Sequence, residues 1–285
     1  MSIPSTSYQS RSLLTRTILL PSQLCLDAPL VAISWSTAIE FLQTRAIASV
    51  YPHLGLFLVV WVIYLFDRLY DTRPRAAGKR ESLRHQFAYR HRPLLSTLMA
   101  TSMIACGLIA LSGKISARFL QPAVFLAGAV LLYFSLFRFL KGSKKALPIP
   151  SKEIAISLCF AGGICIAGAA TSLAEFFPLF TVLFLNCLII ARSEAGEDSR
   201  VDPIAFYSNK KSITKPYLEY FLALAVLVAC WFLANPLPIR MATVLSALLL
   251  LATGFIKPIR RRTQILADAA LLTPWPVICF FQAMT

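Results

Sequence analysis

The chain has 285 residues, 57% of them hydrophobic and 14% charged, with a net charge of +15 and a mean hydropathy of +0.68. A soluble domain carries about 25% charged residues, so this balance excludes a water-soluble globular protein and points to an integral membrane protein. The basicity does not mark a nucleic-acid binder, because it is confined to the connections between apolar runs.

A spanning helix needs about 20 mainly apolar residues. Nine segments meet that need, at 27–50, 54–71, 94–113, 119–140, 151–173, 176–195, 216–234, 237–256 and 263–282. The expected fold is therefore all-α, a single nine-helix bundle over 27–285 around a central cavity, preceded by a cytoplasmic arm at 1–26. Continuous Leu/Ala/Val/Ile/Phe runs are not the alternating pattern of a membrane β-barrel. All of the 28 Lys and Arg except Arg45, Lys114, Arg118 and Arg240 fall on one side of such a bundle. The positive-inside rule then places the N-terminus and the basic loops in the cytoplasm and the C-terminus opposite.

Helix 1 carries Asp27 at its inner end and Glu40 near its middle. A carboxylate at that depth is costly enough to face the bundle interior or to be protonated. Helix 2 ends in Asp67-Arg68-Leu69-Tyr70-Asp71, and the loop from Thr72 to Pro93 follows with Arg73, Arg75, Lys79, Arg80, Arg84, Arg90 and Arg92. Within it, Glu81 to Arg90 reads as an amphipathic helix. Its His85 and His91 lack further ligands at metal spacing. Helix 4 ends near Tyr133, Arg138 and Lys141, and Gly162, Gly163 and Gly168 in helix 5 suit close helix packing. Helix 6 holds Asn186 and delivers Glu194, Asp198 and Asp202, spaced four apart; helix 9 holds Asp268. Seven cysteines lie in or beside apolar runs without a C-x-x-C pair and read as small core residues.

Residues four apart on a helix share a face, with Cβ atoms about 5–6 Å apart. Two carboxylates so placed repel by roughly 3 kcal/mol at an effective dielectric near 20, so each cluster needs positive charge. Arg68, Arg73 and Arg75 beside the first and Arg192 and Arg200 beside the second supply it in one reading. Mg²⁺ supplies it in the other, since it takes carboxylates together with phosphate oxygens. Metal held by both clusters, with Lys and Arg around them, matches a bound diphosphate.

On these residues the chain resembles the UbiA-type intramembrane prenyltransferase superfamily, as a divergent member. Asp67 and Asp71 match the aspartates of that family's first N/D-x-x-x-D-x-x-x-D motif, and Glu194, Asp198 and Asp202 resemble the second. The stretch RHRPL at 90–94 is similar to the family's R-x-x-R-P-L segment, and Lys141 to the lysine that ends helix 4. The resemblance implies that Asp67, Asp71, Glu194, Asp198 and Asp202 hold Mg²⁺, that Arg90, Arg92 and Lys141 bind diphosphate, and that an isoprenyl group passes to a lipophilic acceptor. Ile63 stands where the family has Asn or Asp, Arg75 where a further acid would stand, and Glu194 where the second motif opens with Asp. Two rival readings follow from other residues: a transporter with Glu40, Asn186 and Asp268 as a polar track, and a non-catalytic scaffold or lipid-binding protein.

Overall fold

The computed structural model describes residues 20–72, 83–140, 150–170, 172–201, 207, 217–232, 236–255 and 260–284, and within it the side chains of Asp71, Glu194 and Asp198 lie outside the described part. The described residues fold as helices, with no strand among them: α1 Asp27–Thr44, α2 Val50–Asp71, α3 Leu83–Arg90, α4 Arg92–Leu111, α5 Ala117–Leu140, α6 Ser151–Ala167, α7 Leu173–Val201, α8 Tyr217–Phe232, α9 Leu237–Phe255, α10 Arg260–Ala270 and α11 Pro274–Met284. Each of the nine expected segments contains a helix, and the basic-loop segment expected as an amphipathic helix contains α3, whose apolar and polar residues are little segregated between its faces.

The count of membrane spans is smaller than nine by length and apolarity. Among the described residues five helices qualify, within α2, α4, α5, α7 and α9, and α10 with α11 makes a sixth if a pair bent by 42° is one span. The physical reasons differ among the remaining three. Helix α1 carries Asp27 and Glu40 in 18 residues, while α6 and α8 have only 17 and 16 residues. The break between α10 and α11 is tied by side-chain hydrogen bonds to α1 and α9. Trp35 Nε1 donates to the Leu271 carbonyl at 2.8 Å, and the Thr273 hydroxyl donates to the Ala242 carbonyl at 2.9 Å.

Helix α7 is the hub. It packs against α6, α8, α9 and α10, and its Leu179, Val182, Leu183, Leu185 and Ile189 belong to one buried core that also takes in Val31, Ala32, Trp35 and Ile39 of α1. Small residues set these approaches, because lipid supplies no hydrophobic drive and close backbone contact does the work. The Gly168 position is the tightest: a Cβ there would lie 2.8 Å from the Ser36 carbonyl oxygen. A second cluster, Cys25, Leu65, Leu69, Ala88 and Leu95, fastens α3 and the start of α4 to the end of α2 that carries Asp67.

The opposite end of α2 is tied to α1 by polar contacts. His53 Nε2 lies 2.6 Å from Glu40 Oε2, and His53 Nδ1 lies 3.0 Å from the Ser36 hydroxyl. All three side chains are buried. The Glu40 carboxylate thus faces the bundle interior as expected, and its partner is a histidine.

Candidate functional site

A chamber of about 420 Å³ lies between α2, α4, α5 and α6, within the range usual for small-molecule sites. One face of α2 lines it with Pro52, Gly55, Leu56, Val59, Val60, Ile63 and Tyr64. That is the spacing of a single helical stripe. From Pro52 to Tyr64 the helix rises about 18 Å, so the chamber is elongated along the bundle. Pro52, Ile115 and Phe119 line it towards one end, and Ile63, Tyr64, Tyr133 and Phe134 towards the other. Its walls are almost wholly carbon, apart from the tyrosine hydroxyls and the thiols of Cys106 and Cys159.

One helical turn beyond Ile63 stands Asp67, exposed, at the mouth of this wall. Arg68 beside it reaches the Cys25 thiol, with Asp67 and Asp27 in electrostatic range. Tyr64 lies within range of Asp27, Asp67 and Asp268 together. Asn186 Nδ2 donates to Asp268 Oδ1 at 3.4 Å, and the buried Asn186 Oδ1 has no hydrogen-bond partner among the described residues. Asp27 and Asp268, which belong to neither of the two carboxylate clusters, therefore lie in the neighbourhood of Tyr64 and Asp67. Chain separation hid this, because the acids come from α1, α2 and α10.

The remaining candidates are placed in part. Arg90 ends α3, Arg92 begins α4, and the packing of Ala88 and Leu95 on Leu65 and Leu69 holds both at the Asp67 end of α2. Asp71 is the last residue of α2. Glu194 and Asp198 both lie on α7, which continues to Val201, so the two share a helical face. Lys141 and Asp202 lie outside the described residues, as do the side chains of Asp71, Glu194 and Asp198. Among the described residues no three His, Cys, Asp or Glu side chains gather around one point that could hold a metal ion. Asp67 is the described member of the expected carboxylate set, a hard oxygen donor of the kind Mg²⁺ takes.

Arg192, expected beside the second cluster, has Glu219 as a described partner. Its Nη1 pairs with Glu219 Oε2 at 2.5 Å and its Nη2 donates to the Gly254 carbonyl at 3.0 Å. The Tyr207 hydroxyl donates to the other Glu219 oxygen at 3.1 Å. Burial pushes the Tyr207 phenol above its ordinary value, and the Glu219 carboxylate adds to that. This network joins α7, α8 and α9, so Arg192 is engaged with a carboxylate other than the cluster it precedes.

Of the aromatic residues near the first cluster, Tyr64 lines the chamber, whereas Phe66 and Tyr70 stack on each other with ring centroids 6.3 Å apart. The polar track expected of a transporter is divided between two pairings: Glu40 is taken up by His53, and Asn186 by Asp268. Sequence reasoning missed His53. A signal existed, since Glu40 and His53 lie at similar distances on either side of the α1–α2 connection, where an antiparallel helix pair brings its residues level.

Comparison with known protein families, with curated proteins and with solved structures finds no match.

Proposed function

We propose that this chain is an Mg²⁺-dependent intramembrane transferase that moves an isoprenyl group from a prenyl diphosphate to a lipophilic acceptor, as a divergent member of the UbiA-type superfamily. The observation that supports it is the continuity of one apolar chamber with a charged end: Ile63 and Tyr64 line the chamber, and Asp67 and Arg68 follow within one turn. A ligand suited to both has a hydrocarbon chain and an anionic head.

In this reading the bundle crosses the membrane nine times, with the motif loops at the cytoplasmic face and the C-terminus opposite. Asp67, Asp71, Glu194, Asp198 and Asp202 would hold Mg²⁺, and Arg90, Arg92 and Lys141 would bind the diphosphate. The metal, when bound, supplies charge neutralisation for the departing diphosphate. The allylic C–O bond breaks with its electron pair leaving on diphosphate, the acceptor's nucleophilic atom bonds to the terminal allylic carbon, and the acceptor releases a proton. Arginine and lysine stabilise the developing negative charge, and the face of Tyr64 offers cation–π stabilisation to the allylic carbon.

A second reading is favoured by Ile63. It lies in the chamber wall where the family pattern has a polar ligand, so the first cluster has fewer donors, and the chain would bind a prenyl lipid without transferring it. Purified protein assayed with geranyl, farnesyl and geranylgeranyl diphosphate, with and without Mg²⁺, decides between them. Mg²⁺-dependent binding with diphosphate release supports the transferase. Mg²⁺-dependent binding without release under any acceptor supports the lipid-binding protein. Metal-independent binding unchanged in Asp67→Ala/Asp71→Ala and Asp198→Ala/Asp202→Ala sinks the transferase and its metal–diphosphate site and leaves the lipid-binding reading.

A further inference from the structure

Helix α5 and the residue before it meet α2 at two levels. Ile115 puts its Cδ1 3.6 Å from the Cβ position of Gly55, and towards the other end Phe134 stands edge-on to Phe66 with ring centroids 5.5 Å apart. Along its length α5 packs against α6, and no comparable contact joins it to α4 among the described residues. The chamber is therefore open on its α4–α5 side. Val59 and Leu131 line it and yet are 40% and 68% exposed. In a bilayer that opening faces lipid tails, which are as apolar as its own walls.

The end of the opening away from Asp67 is cationic. The connection from α4 into α5 reads Lys114-Ile115-Ser116-Ala117-Arg118-Phe119. Ile115 and Phe119 line the chamber, whereas Lys114 and Arg118, each one residue earlier, are exposed. Lys114 is held in place by Tyr51, the neighbour of the chamber residue Pro52. Its Nζ donates to the Tyr51 hydroxyl at 2.6 Å and lies 4.7 Å from the centroid of that ring. An ammonium has three protons to donate, so two remain for a ligand. Neither Lys114 nor Arg118 has a carboxylate partner among the described residues. Tyrosine is also the residue that marks the headgroup level of a membrane.

We propose that this end of the bundle binds a bilayer phospholipid with an anionic headgroup. Its phosphate sits on Lys114 and Arg118, and one acyl chain lies in the opening between α4 and α5. The opening alone would accept any hydrocarbon; the two cations select the headgroup, as Lys and Arg at a membrane surface attract anionic lipid. The phosphate reaches them without leaving the interface, so no charge is buried. The site lies at the opposite end of the chamber from Asp67 and does not depend on the function proposed above.

The test titrates purified, delipidated full-length protein in detergent with phosphatidylglycerol, phosphatidylcholine and diacylglycerol of identical chains, and counts bound lipid by native mass spectrometry. The unaltered chain is expected to bind phosphatidylglycerol about tenfold or more tighter than diacylglycerol, with phosphatidylcholine weaker than phosphatidylglycerol. Lys114→Gln/Arg118→Gln should abolish that preference and leave diacylglycerol binding unchanged, which also reports an intact fold. Ala127→Phe, which fills the opening from α5, should weaken both lipids alike. Arg45→Gln/Arg240→Gln removes the same charge away from the opening and should keep the preference. Loss of preference in that control would mean general attraction to a chain of net charge +15 and overturns the site. Phosphatidylglycerol binding no tighter than diacylglycerol overturns it as well. So does a preference that survives Lys114→Gln/Arg118→Gln, or binding that Ala127→Phe leaves unchanged. A dimer that takes up no lipid would show a second copy covering the opening, and also overturns it. Failure of farnesyl diphosphate to bind leaves this site standing, and loss of this site leaves the transferase reading standing.

Discussion

Glu40 Oε2 and His53 Nε2 meet at 2.6 Å between α1 and α2, with the histidine ring held from its other side by Ser36. Removing one partner of a buried hydrogen-bonded pair leaves the other unsatisfied and costs about 1–3 kcal/mol, whereas replacing both by apolar groups is close to neutral. Glu40→Leu and His53→Leu are each expected to destabilise the protein strongly, and the double variant to recover most of the loss. Thermal unfolding in one detergent, arranged as a double-mutant cycle, reads the coupling. Additive losses would mean that the pair is incidental.

Gly168→Ala tests the closest backbone approach. Its Cβ would sit 2.8 Å from the Ser36 carbonyl oxygen and 3.1 Å from Ile39 Cβ, neither of which is the end of a flexible side chain. Overpacking of this kind costs about 1–3 kcal/mol, and a lower Tm with unchanged expression of the folded form is the expected outcome. Gly107→Ala is the control, because nothing lies within 4 Å of its Cβ position.

The Arg192–Glu219–Tyr207 network gives an alkaline prediction. Folding raises the Tyr207 phenol above its ordinary value, so the folded state keeps the proton longer than the unfolded chain. The stability this contributes is fully present below about pH 10 and is lost as pH rises towards the folded value. Tyr207→Phe should cost about 1 kcal/mol at neutral pH through the missing hydrogen bond, yet show a smaller decline between neutral and strongly alkaline pH. Denaturation followed across that range would expose an identical decline in both proteins if Tyr207 is not responsible.

At the charged end, Asp67→Ala/Asp71→Ala is expected to weaken Mg²⁺-dependent binding of farnesyl diphosphate by about tenfold or more, the equivalent of 1.4 kcal/mol or above. Farnesol binding, which needs no metal, should change little. Isothermal titration of both ligands separates a damaged head site from a damaged chamber.

How much of this was readable beforehand varies by element. The helices at all nine segments were legible, because runs of Leu, Ala, Val, Ile and Phe need no partner to identify them. Their qualification as spans was not, since composition windows pass over the ladder break at Leu271–Thr273, although Pro274 marks it. The chamber stripe from Pro52 to Tyr64 was hidden for a different reason. In a helix apolar on every side, the 3.6-residue period has no contrast, so the face towards a cavity looks like the face towards lipid. Asp67 was found by its spacing to Asp71, a local pattern. Asp27, His53 and Glu219 act through partners brought together only by packing, and spacing along the chain carries little record of that.

Helix α5 bounds the chamber, yet none of the qualifying span within it, Ala117–Leu136, is buried. Val124, Phe125 and Leu132, which do not line the chamber, have large exposed areas. In the function proposed above, a ligand's hydrocarbon chain would reach the chamber's outer wall by lateral diffusion, already out of water. The effective ligand concentration is then a mole fraction in the bilayer, and apparent affinity should dilute with added lipid even at constant total volume.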